Sequence, residues 1–267
     1  MLQLDRFKSV NAVAPKPGVS DKYQFVSTTE CLKTFQDKGW VPVSVSEKRA
    51  NKVENRGFQK HLIRLRKNDT MLSGGFNKEV IPEIVLINSH DTGAAFHIMA
   101  GMFRMVCANG LIVADNLFGS QRVVHVGYAK EKVECAIDVV EKQFSIIAER
   151  IKEYQNIIIT REDELRFVTE ACLLRWKEGK APNPQALLAT HRVEDKSPTL
   201  WNLFNKVQEN MLQGMSRRQV AYATGGWTRR SRAIRGTQNI DLTIKINKEL
   251  WSMTELLARN KVDMATV

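Results

Sequence analysis

The chain has 267 residues and a mass of 30.4 kDa, and 43% of its residues are hydrophobic, enough to build a real core and too many for a disordered chain. Forty Lys and Arg against 29 Asp and Glu leave a net charge of +11 and a sequence pI near 9.6, which favours an anionic partner, nucleic acid first among them. No run approaches the roughly 18 apolar residues that a bilayer helix needs. The opening Met-Leu-Gln-Leu-Asp-Arg-Phe-Lys lacks the apolar stretch of a secretory signal. The expectation is a cytoplasmic protein without membrane contact.

Cys31, Cys107, Cys135 and Cys172 are dispersed, with no C-x-x-C pair and no His at a zinc-ligand spacing. They read as reduced thiols, mostly buried, and neither a metal nor a cofactor is expected.

In chain order, residues 1–21 hold the breaker run Ala14-Pro15-Lys16-Pro17-Gly18 and read as an arm or a loosely docked strand. A short β-α-β unit is predicted next. Tyr23 to Val26 supplies a strand, Ser27-x-x-Glu30 opens a helix over 28–37, Gly39 ends it, and Trp40 to Val45 forms an edge strand marked by Pro42. His61 to Lys67 alternates, which puts Leu62, Arg64 and Arg66 on one face, as a basic surface for solvent or a polyanion. Glu83 to Asn88 reads as a buried strand, and Ala94 to Val106 as a helix apolar almost all round, with His97, Gly101 and Arg104 on one stripe. Asn109-Gly110 then turns the chain into Leu111-Ile112-Val113, and Arg122 to Tyr128 alternates as a further strand.

Beyond residue 129 the pattern becomes helical. Val133, Ile137, Val140, Phe144, Ile147, Ile151 and Tyr154 form a heptad seam, suited to packing the helical region or to joining protomers in a homo-oligomer. Thr160-x-x-Asp163, Asn183-Pro184 and Ser197-Pro198 each read as a helix start, and a last helix spans about 241–259. The expected class is α+β: an N-terminal arm (1–21), a mixed sheet-and-helix domain (22–129) and a mainly helical region (130–267). Inside the last lies a basic segment, 210–240.

That segment is the most informative part of the chain, because its 31 residues contain no Asp or Glu and six arginines: Arg217, Arg218, Arg229, Arg230, Arg232 and Arg235. Tyr222 and Trp227 are interleaved with them. Guanidinium groups bind phosphate in a bidentate manner and aromatic rings stack on unpaired bases, so this composition points to nucleic acid and to single strands in particular. A solvated basic face or pairing with acidic helices is the plainer reading.

A second constellation, Asn88-Ser89-His90-Asp91-Thr92-Gly93, falls between the predicted buried strand and apolar helix, where an anion or an active site could form. His90 would be a base oriented by Asp91, with His97 and Arg104 as further anion contacts. Ordinary capping by Asp91 or Thr92 is the simpler account. No G-x-S-x-G, H-E-x-x-H or Walker-type loop is present, so no catalytic residue is assigned.

The order and spacing of Ile87-Asn88-Ser89-His90-Asp91, Ala95-Phe96 and Phe103-Arg104-x-Val106-Cys107-x-Asn109-Gly110-Leu111 resemble a phage/plasmid-like protein family, a domain of unknown function found on phages, prophages and plasmids. Many members carry Gly directly after the Asp, where this chain has Thr92. The resemblance implies a mobile-element protein and carries no catalytic residues. The reading that follows is a non-enzymatic protein of a phage or mobile element that binds nucleic acid, preferring single-stranded DNA. It would act in replication, recombination by coating or annealing, or transcription. The alternatives are an enzyme using the 88–104 residues and an inhibitor that binds a host or phage protein.

Overall fold

A computed structural model describes residues 2–20, 23–67, 80–104, 110–113, 121–123, 130–227 and 232–265, with 110–113, 121–123 and 264–265 described in backbone alone. Cys107, Asn109, Arg229, Arg230 and most of the predicted strand 122–128 lie outside these residues. The class is α+β, and the chain divides into two compact units, 1–146 and 147–267.

In the first unit, α1 (Thr28–Asp37) starts at Ser27, whose hydroxyl accepts from the Glu30 amide at 3.3 Å, and stops where Gly39 adopts φ +82°. Beyond it runs an antiparallel meander of β1 (Trp40–Glu47), β2 (His61–Lys67), β3 (Val80–Asn88), β4 (Phe96–Arg104) and β5 (Gly110–Val113), with β6 (Gln121–Val123) also paired to β4. Pro42 sits on the edge strand beside a register shift, where its missing N–H is tolerated. One sheet face carries Trp40 and Lys67, both bonded to Glu141 of the following helix α2 (Lys130–Asn156), and the Trp40 ring packs 5.8 Å from that of Phe144.

Four expectations need correcting. The apolar run 94–106 holds a strand, β4, over Phe96–Arg104: it lies between β3 on one side and β5 and β6 on the other, and nearly all its residues are buried, which erases the alternation that marks a one-sided strand. Tyr23 to Val26 makes no strand, since the Val26 carbonyl accepts from the Asn88 side chain at 3.0 Å rather than from a ladder partner. Arg64 and Arg66 share a face as expected, but both turn onto the buried carboxylate of Glu83 on β3 and do not form an open basic surface. The cap predicted at Ser197 is supplied by Thr199 instead, because Ser197 is engaged by the Asn202 amide at 2.7 Å.

The heptad seam is buried along the whole of α2, from Val133 to Tyr154, so its apolar stripe packs within the chain. In the second unit α3 (Arg161–Arg175) opens with a capping box between Thr160 and Asp163. A 3₁₀ turn (Pro184–Leu188) begins at Asn183 with proline in its first turn, as the dipeptide predicts. Helix α4 (Leu200–Leu212) is buried along its entire length, with α3 and the last helix, α6 (Ile240–Ala265), against it. Its polar residues bond inside the core, as Gln208 does to Asn247 at 2.6 Å, while Trp201, Phe204, Trp251 and Tyr154 form a chain of ring contacts. Among the described residues no helix is long and apolar enough to cross a membrane.

Candidate nucleic-acid interface

The basic segment begins as α4 ends. Two-residue strands β7 (Gly214–Met215) and β8 (Ile234–Arg235) pair antiparallel, bracketing the short helix α5 (Arg217–Ala223). The ribbon depends on Gly214, at φ +82°, where an added Cβ would lie 2.2 Å from the Ile234 carbonyl oxygen. Arg175, at the end of α3, ties the ribbon down by donating to the backbone carbonyls of Met211 and Arg235. Helix α5 is fixed at its start by a capping box in which Ser216 and Gln219 bond reciprocally. The Gln219 amide also reaches His191 at 3.2 Å, and the other nitrogen of that ring bonds Asn210 on α4 at 2.7 Å.

This scaffold presents Arg217, Arg218 and Tyr222 at the surface, with Tyr222 90% exposed. Trp227, beyond the helix, is 64% exposed, and the Arg217 guanidinium lies 5.4 Å from its ring centroid. Two large aromatic groups are thus held in solvent among cations, where core packing does not account for them. Arg232 and Arg235 are exposed on the return path and line an open groove of about 1080 Å³ together with Arg175, Trp176 and Lys180. Those last three were missed in the sequence. The run Arg175-Trp176-Lys177, another aromatic among cations, was the available signal.

The 88–104 residues form a different kind of structure. Asn88, Ser89 and His90 are fully buried. The Asn88 amide donates to the Thr28 hydroxyl at 3.0 Å and to the Val26 carbonyl, and its oxygen accepts from the Ser89 amide. Ser89 and Ala94 close the turn through the Ser89 hydroxyl, Asp91 accepts from the Gly93 amide at 2.9 Å, and the His90 backbone bonds Phe58 and Lys16 on either side. Asp91 therefore shapes an Asx turn into a strand instead of capping a helix. His61 on β2 lies beside this knot. Its Nδ1–H donates to the Gln59 carbonyl and its Nε2 accepts from the Thr28 hydroxyl at 2.9 Å, so the His90 Nε2, 3.4 Å from the same oxygen, is a donor. Burial, reinforced by His90, holds the His61 pKa down to about 3.

His97 and Arg104, placed on one stripe by the helical reading, are brought to opposite faces and opposite ends of β4, about 23 Å apart at the ordinary strand rise. They do not converge with His90. Among the described residues no three His, Cys, Asp or Glu side chains cluster as a metal site.

A meander covered by helices on one face, followed by a helical unit with a cationic and aromatic surface, defines an α+β protein. The model of a domain of unknown function (DUF932) matches residues 17–251, and the chain belongs to that family. It is similar to two proteins of Escherichia coli (strain K12) over 241 residues: UPF0380 protein YfjQ at 32% identity and UPF0380 protein YafZ at 31%. Each match covers 89% of this chain and 83% of the relative. No solved structure matches the chain.

Proposed function

We propose that this is a non-enzymatic nucleic-acid-binding protein of a phage or mobile element, acting on single-stranded DNA in the host cytoplasm during replication, recombination or transcription. The observation that carries this reading is Trp227, exposed with Arg217 against its ring inside a segment free of carboxylates. Stacking on an unpaired base needs an accessible aromatic face, and strand tracking needs phosphates neutralised in sequence. Arg217, Arg218, Arg232 and Arg235 supply the charge, and Tyr222 and Trp227 the rings. The resemblance to phage- and plasmid-borne proteins supports the mobile-element context. The buried knot around His90 favours a structural role for the 88–93 turn over the catalytic alternative.

Fluorescence anisotropy with matched single-stranded and duplex DNA at low and near-physiological salt tests the proposal. The expected result is tighter binding of the single strand, a steep loss with salt, and a shallower salt slope for the double variant Arg217→Ala/Arg218→Ala. Absence of binding at low salt would refute it. Capture of a host protein that resists nuclease and requires the arginines would replace it with the inhibitor reading.

A further inference from the structure

Building on the nucleic-acid reading, we propose that the groove between residues 175–183 and 232–235 seats one unstacked nucleotide of a single strand. Its base would lie against Trp176 and its flanking phosphates on Lys180, Arg232 and Arg235. At about 1080 Å³ the groove lies just above the roughly 300–1,000 Å³ typical of small-ligand clefts, large enough for a nucleotide with its neighbouring phosphates. Its described lining includes four cations, one indole and no carboxylate, a composition that selects a polyanion carrying a flat ring and rejects an apolar ligand or a free cation.

Three features make it a built site. The Arg175 guanidinium stacks 4.8 Å from the Trp176 ring centroid, which fixes the plane of the indole, and is itself held by the carbonyls of Met211 and Arg235. Arg175 is therefore a positioning residue that joins the aromatic wall to the cationic one. Lys180, Arg232 and Arg235 are exposed, and among the described residues they form no salt bridge. Helix α5 and its cap contribute Val220 and Thr224 to the groove wall, and the helix carries Tyr222 on its exposed side, which places the groove wall and Tyr222 on one helix. A duplex keeps its base faces stacked and cannot offer a ring to Trp176, so the groove supplies preference for single strands, while the outer arginines supply charge to any nucleic acid.

The test is anisotropy of the full chain with a labelled short oligothymidylate and with a labelled duplex, comparing wild type with Lys180→Ala, Trp176→Ala, Trp176→Phe and Arg217→Ala/Arg218→Ala. Expected are losses of about 5-fold or more on oligothymidylate for Lys180→Ala and Trp176→Ala, near-wild-type binding for Trp176→Phe, and duplex binding within about twofold for the groove variants. The Arg217/Arg218 variant should weaken on both ligands. Wild-type binding of oligothymidylate with Lys180→Ala and Trp176→Ala unchanged overturns the groove and leaves the functional reading standing. Equal losses on single strand and duplex also overturn it. No oligothymidylate binding by wild type removes the functional reading and the groove with it. Because Lys180 is exposed, its variant decides the matter even if Trp176→Ala folds poorly.

Discussion

The Arg217 guanidinium and the Trp227 ring face each other at 5.4 Å on the protein surface, with the ring 64% exposed. Truncating an exposed ring removes little folding energy, whereas loss of a stacking platform costs about 1–3 kcal/mol per base. Trp227→Ala is therefore expected to leave the thermal midpoint unchanged and to weaken single-strand binding by about 5-fold or more. A melt and an anisotropy titration on the same preparation check both halves. An equal fall in stability would make Trp227 a packing residue.

Thr92 has φ +65°, the one positive φ of a non-glycine residue among those described, in the turn that closes the buried knot. A β-branched side chain in that region is strained by roughly 1–3 kcal/mol, and glycine there gives back part of the gain through a freer unfolded chain. Thr92→Gly should raise stability by about 1 kcal/mol, a shift of a few degrees at most in the melt. Thr92→Val, branched and without the hydroxyl, should lower it.

How far the sequence could be read depended on whether a signal was local. The Ser27 and Thr160 caps, Gly39, the edge proline and the heptad seam are each set by neighbouring residues, and each appears where the pattern places it. Strand β4 was misread because both its faces are buried, so a run of apolar residues carried no period to distinguish strand from helix. That error put His97 and Arg104 together on one stripe. The stretch from Asn88 to Gly93 reads as an ordinary cap at a strand-to-helix junction, and the knot it forms instead was hidden because its partners are distant: Thr28 is 33 residues from His61 and 62 residues from His90. The groove was hidden for a similar reason: Arg175 and Arg235 are 60 residues apart and meet through a backbone carbonyl, which no side-chain pattern reports.

Glu83 is completely buried and receives two guanidinium groups, Arg64 through Nε at 2.6 Å and Arg66 through Nη2 at 2.6 Å, while Arg64 also lies 3.5 Å from the Phe103 ring centroid. Two arginines share one carboxylate, so removing it leaves them facing each other in a largely desolvated place. Glu83→Ala should destabilise the fold by about 3–5 kcal/mol. Glu83→Gln keeps one acceptor oxygen, turns the other position into a donor and loses the charge, and should fall between that variant and wild type. Chemical denaturation checks the order. A Glu83→Ala protein as stable as wild type would show that the triad is held by the surrounding strands alone.

His61 makes stability depend on pH in a definite direction. Its pKa is about 3 in the folded protein, because burial and then His90 oppose the imidazolium, against 6.5 for an ordinary histidine. Below pH ~6.5 the unfolded chain therefore takes up a proton that the folded protein refuses. The neutral ring's contribution is complete above that pH and declines by about 1.4 kcal/mol per unit as the pH falls toward 3, or about 2 kcal/mol between 6.5 and 5. His61→Asn, which cannot titrate, should lose stability at neutral pH through the broken contact with Thr28 yet show a shallower decline into acid. Denaturation midpoints of both proteins across pH 5 to 8 measure the two slopes. Parallel curves would assign the acid sensitivity to other groups.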